Sequence, residues 1–145
     1  MALVVGYDRH RASRAALVFA AELAGALNVP VRIVHVSDMA DRSLGTDPAP
    51  TAEAEQRQAA HERDYIATLL RGTEVQWSYH VMQGDPATAL LEAATVQHAN
   101  MIVVGRPEQG FSAALGHMIS GAVARTLIRH SQRPVVVVPP PVDFP

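Results

Sequence analysis

Four short runs along the 145-residue chain are dominated by β-branched and other apolar residues: ALVVG (2–6), VRIVHV (31–36), MIVVG (101–105) and PVVVV (134–138). They are continuous rather than alternating, and Gly, Pro or Asn bounds them. That is the pattern of strands covered on both faces, as in a parallel sheet. A fifth run, EVQWSYHVM (74–82), alternates instead. Val75, Trp77, Tyr79 and Val81 fall on one side and Gln76, Ser78 and His80 on the other, which predicts a less covered edge strand.

Helix-length segments separate these runs. In 12–27, Ala16, Phe19, Ala20, Leu23 and Leu27 recur at helical spacing, with Gly25 and Asn28 at the fraying end. Segment 51–71 opens on Thr51 as N-cap, carries Glu53 and Glu55 in its first turns and stops before Gly72. Asp85-Pro86 starts a helix over 86–98, with Ala87, Leu90, Leu91 and Ala94 as its apolar face. A last helix is expected over roughly 119–131. Strands and helices thus alternate β-α-β-α-β-α-β-α-β, the signature of right-handed crossovers and a doubly wound parallel sheet in one domain, 1–145. The long irregular stretch SDMADRSLGTDPAP (37–50) falls at the carboxyl edge, where such folds bind ligands.

Composition narrows the chemistry. A net charge of −2 with interspersed signs leaves no footprint for nucleic acid or an anionic membrane. All twelve basic residues are arginine, so lysine-dependent phosphate loops and Schiff bases are excluded. There is no cysteine, which removes disulfides, thiol nucleophiles and thiolate metal sites. The seven histidines are scattered without metal-ligand spacing. No apolar run approaches membrane-spanning length and the amino terminus does not resemble a signal peptide, so the expected location is the cytoplasm. No nucleophile elbow and no paired-carboxylate arrangement is visible, so the chain is not expected to be an enzyme.

The stretch VVGRPEQGFSAALGHMISGAVARTL (103–127) can hold a phosphate or simply turn a corner. Val104 and Gly105 end a strand at the carboxyl edge, Gly110 offers a second unhindered position, and Ser120-Gly121 stand at a helix start with free N–H groups. Arg106, Arg125 or a protonated His117 could add charge. From spacing alone, a strand-to-helix connection with an ordinary serine cap is the plainer reading. Asp8 follows the first strand at the same edge and could accept hydrogen bonds from a ribose or an amino group, or could cap the first helix. His35, ending an apolar strand, reads as a histidine hydrogen-bonded at the sheet edge.

These residues carry a resemblance. LVVGYDRHRASRAALVFAAELA, VRIVHV, VMQGDPATALLEAATVQHANMIVVG and ISGAVARTLIRHSQRPVVVVPP resemble, in order and spacing, segments of the universal stress proteins, with Asn100 where aspartate is usual. The resemblance implies a five-stranded sheet in the order 3-2-1-4-5 with helices on both faces. It also implies a homodimer made by pairing the last strand, here Val135, Val136, Val137 and Val138, whose exposed apolar edge independently asks for a partner.

One branch of that family binds ATP through Gly-x2-Gly-x9-Gly-(Ser/Thr). The corresponding residues here are Gly105-x4-Gly110-x9-Ser120-Gly121: two residues are inserted and the final pair is inverted. Asp8 matches the adenine-side aspartate and Val36 the position whose backbone meets adenine. The resemblance therefore implies an adenine nucleotide such as ATP, with Mg²⁺ accompanying it, held by Asp8, Val36, Val104, Gly105, Arg106, Gly110, Ser120 and Gly121. The alternative is a stress protein without nucleotide, acting as a dimerisation module for a protein partner.

Overall fold

The computed structural model describes residues 1–8, 10–37, 51–107 and 121–141. The elements are β1 (Leu3–Gly6), α1 (Arg11–Leu27), β2 (Val31–Ser37), α2 (Ala52–Leu69), β3 (Trp77–Gln83), α3 (Pro86–Val96), β4 (Met101–Gly105), α4 (Gly121–His130) and β5 (Val135–Val138). All strands are parallel, in the order β3-β2-β1-β4-β5. The direction of winding reverses between β1 and β4, so the crevice beyond their carboxyl ends is the topological switch point.

Each central strand divides its side chains between two cores. Leu3, Val5, Tyr7, Val31, Ile33 and Val103 pack under α1 and α2. Val4, Val34, Val36, Ile102 and Val104 pack under α3 and α4. The continuous apolar runs are thus two interleaved faces, and helices cover both of them. Each fully buried Leu or Ile in these layers, Leu17 and Ile33 among them, contributes about 1.5–3 kcal/mol.

Local signals set the helix ends. The Thr51 hydroxyl accepts from the Ala54 N–H at 3.1 Å, and the Asp85 carboxylate accepts from the Thr88 N–H and hydroxyl at 3.0 and 2.8 Å. Asn28 closes α1 in the left-handed region (φ 55°), its N–H bonded to Gly25 while the Val29 N–H reaches the Ala24 carbonyl. β3 is an edge strand, as its alternation predicts, but it begins at Trp77 rather than at 74. Tyr79 is buried, whereas Val81, expected on the covered side, is 48% exposed.

Candidate functional site

The strand registers place three of the candidate residues, Asp8, Val36 and Arg106, in one row. β1 and β2 pair with Gly6 opposite Val34, and β1 and β4 pair with Val5 opposite Val103. Continuing both registers sets Asp8 level with Val36 on one side and Arg106 on the other. Strands lie about 4.8 Å apart, so the three positions span about 10 Å across the carboxyl edge.

The peptide between Tyr7 and Asp8 is held by side chains instead of a ladder. Its carbonyl lies 3.0 Å from His35 Nδ1, and its N–H donates to Ser13 Oγ at 3.2 Å. A carbonyl only accepts, so His35 carries its proton on Nδ1. Asp8 is 6% exposed, and its Oδ1 accepts from the His10 N–H at 2.9 Å. No described residue donates to Oδ2. Asp8 does not cap α1 directly: His10 occupies the N-cap position, without a side-chain cap bond.

Gly105 faces α1. A Cβ there would fall 2.8 Å from the Ser13 nitrogen and closer still to the Ala12 carbonyl, so only glycine admits the first turn of α1 at this distance. The Val104 side chain is buried in the core under α3 and α4, which leaves only its backbone for a ligand. Arg106 is exposed and is anchored through its N–H to the Val138 carbonyl at 2.7 Å. Gly121 begins α4 in open space, where an added methyl group would meet nothing described within 4 Å. Gly110 and Ser120 lie outside the described residues.

Beneath this row, the Tyr7 ring is buried edge-on to Tyr79 (centroids 6.4 Å apart), and its hydroxyl donates to Glu62 of α2 at 3.4 Å. Gln58 Nε2 donates to the other Glu62 oxygen at 3.4 Å. Burial, reinforced by the Glu62 charge, pushes the Tyr7 hydroxyl well above its ordinary pKa. Tyr65 accepts from Arg14 at 3.2 Å, which raises the arginine further. Sequence reasoning did not single out Ser13, Tyr7 or Glu62. The available signal was a serine and a glutamate at positions where helices meet the sheet.

Asp8, Val36, Gly105 and Arg106 lie at the carboxyl edge. A cavity of about 540 Å³ opens at the opposite, amino edge, between the end of α1 (Gly25, Asn28) and the segment before β3 (Glu74, Val75). Among the described residues no three His, Asp or Glu side chains gather as metal ligands, and no helix is long and apolar enough to cross a membrane.

The sequence model of the universal stress protein family matches residues 1–139. The stress response protein NhaX of Bacillus subtilis is 26% identical over 162 aligned positions, covering 94% of this chain and 96% of its own. The universal stress protein Rv3134c of Mycobacterium tuberculosis is 32% identical over 96% of this chain, which spans only 48% of that longer relative. Among solved structures, a universal stress protein from Archaeoglobus fulgidus superposes with a TM-score of 0.70 at 24% identity, covering 95% of this chain and 98% of the other. The same organism's protein in complex with dAMP gives 0.68 at 23% identity, and a universal stress protein in complex with cAMP gives 0.67 at 21%. With the 3-2-1-4-5 parallel sheet, its helix pairs on both faces and a family match over nearly its whole length, the chain belongs to the universal stress protein family.

Proposed function

We propose that this chain is a stress-response protein that binds an adenine nucleotide in the crevice beyond β1 and β4. The observation that carries the reading is Asp8: a carboxylate buried at the topological switch point, with one oxygen used locally and no described donor on the other. Such an acceptor suits an amino group or a ribose hydroxyl. Related folds in complex with dAMP and cAMP support adenine as the shared element. Val36 would meet the base through its backbone and Gly105 would border the ribose. Arg106 and Gly121, with Gly110 and Ser120, would line the phosphates, and Mg²⁺ would arrive bound to them. The protein is read as a regulator rather than an enzyme, with ATP hydrolysis slow at most, since the chain has no lysine and no evident general base serves the crevice among the described residues.

The same reading makes it a cytoplasmic homodimer joined through β5. That strand ends the sheet, and its outward backbone groups meet no further strand among the described residues. The test is direct. Protein purified without added nucleotide is denatured and its supernatant resolved by ion exchange, and ATP and AMP are then titrated calorimetrically into the stripped protein. Binding that Asp8→Ala removes supports the reading, and no heat at millimolar nucleotide defeats it. One observation favours the second reading, a nucleotide-free module for a protein partner: packing against α1 accounts for Gly105 by itself.

A further inference from the structure

The β1–β2 ladder stops one rung before it has to. In a parallel pair every second residue on one strand receives and gives a bond to the two flanking residues of the other. Tyr7 makes the first of these, its N–H donating to the Val34 carbonyl at 2.9 Å. The second would run from the Val36 N–H to the Tyr7 carbonyl. It is not formed, and that carbonyl accepts from His35 Nδ1 at 3.0 Å instead.

The consequence falls on Val36. Backbone direction alternates along a strand, and the Val34 carbonyl faces β1, so the Val36 N–H and carbonyl face the same side, level with Asp8. Val36 is 2% exposed, and among the described residues no group accepts from its N–H. A buried N–H without a partner is costly, and such groups are rare unless something outside the chain satisfies them. The base edge of a nucleotide, which presents a ring-nitrogen acceptor beside an amino donor, is complementary to a backbone N–H and carbonyl on one side.

We propose that His35 is a positioning residue: by taking the Tyr7 carbonyl it ends the β1–β2 ladder one rung early and keeps the Val36 N–H available to the base of the bound nucleotide. His35 does this from the face of β2 that Val31 and Ile33 share, opposite to the Val36 side chain. The inference rests on the nucleotide reading above for its purpose, but the ladder break is a property of the protein alone.

The test compares three proteins by amide hydrogen exchange and by calorimetry with AMP. His35→Asn puts an N–H donor at the position of Nδ1, while His35→Val has none and frees the Tyr7 carbonyl. In nucleotide-free wild type and His35→Asn, the Val36 amide exchanges faster than the ladder-bonded Val34 amide, and AMP slows it. In His35→Val the rung closes, so Val36 becomes protected without nucleotide. AMP affinity then falls at least tenfold while the melting temperature holds or rises. A merely structural histidine would lose melting temperature and affinity together and leave Val36 unprotected, and that result overturns the proposal. So does a Val36 amide already as protected as that of Val34 in nucleotide-free wild type, or full AMP affinity in His35→Val. If wild type binds no AMP at all, the role assigned to His35 falls with the nucleotide reading. The exchange comparison without ligand still decides separately whether His35 breaks the ladder.

Discussion

Gly105 and the Ala12 carbonyl are in such close approach that the end of β4 and the first turn of α1 leave no room for a methyl group between them. The glycine that begins the nucleotide-like stretch is therefore demanded by helix packing, whatever else it does. Gly105→Ala is expected to lower stability by about 1–3 kcal/mol, because backbone rather than a flexible side chain must yield. Thermal or urea unfolding reads this directly. A glycine required only by a ligand would leave the unfolding curve unchanged and weaken binding alone.

Asp8 makes the complementary case. Its Oδ1 holds the His10 N–H, and its neighbour Ser13 holds its own N–H. Asp8→Asn preserves an oxygen for His10 but replaces an acceptor with a donor on the crevice side. A lost charge-assisted hydrogen bond corresponds to about 10- to 100-fold in affinity, which titration of ATP into the variant should recover. Equal affinity in wild type and Asp8→Asn would remove the carboxylate from the site.

Tyr7 gives a pH signature. Its hydroxyl is pushed above the ordinary value near 10 by burial and by Glu62, so the folded protein keeps a proton that the unfolded chain releases. Stability is then fully present below about pH 10 and falls as pH rises beyond it, by at most about 1.4 kcal/mol per pH unit for this one group. Tyr7→Phe keeps the ring against Tyr79 and abolishes that alkaline slope, with a loss of about 1 kcal/mol near neutrality for the missing bond to Glu62. Denaturant midpoints from pH 8 to pH 11 in both proteins measure it.

The cap at Asp85 offers a control remote from this chemistry. It accepts two bonds from Thr88, so Asp85→Ala should remove about 1 kcal/mol from the unfolding free energy and leave nucleotide affinity untouched. A change in affinity would mean that the start of α3 is coupled to the crevice.

The edge strand predicts its own partner signal. Pro134 and Val138 carbonyls accept from β4, so the Val135 and Val137 amides point outward from the sheet. In a monomer they exchange rapidly. In a homodimer joined through β5 they are protected, and dilution that dissociates the dimer, followed by sedimentation velocity, releases that protection.

The elements and their order were legible in one dimension. Thr51, Asp85-Pro86 and Asn28 act on their own few residues, and an apolar run needs only burial to become a strand. The resemblance carried the strand order and the row of Asp8 and Val36. Other features depend on groups far apart in the chain and emerge only where the folded layers meet. Val81 keeps the alternation of an inward residue yet is exposed, because it stands on the edge strand outside both packed clusters. Gly105 takes its necessity from a helix more than ninety positions earlier, and the Tyr7 carbonyl is taken by an imidazole twenty-eight positions later. Turn and cap chemistry is local and leaves a pattern in the sequence. Close backbone approach and the choice between a ladder bond and a side-chain bond are settled by how the layers meet, which no local spacing records.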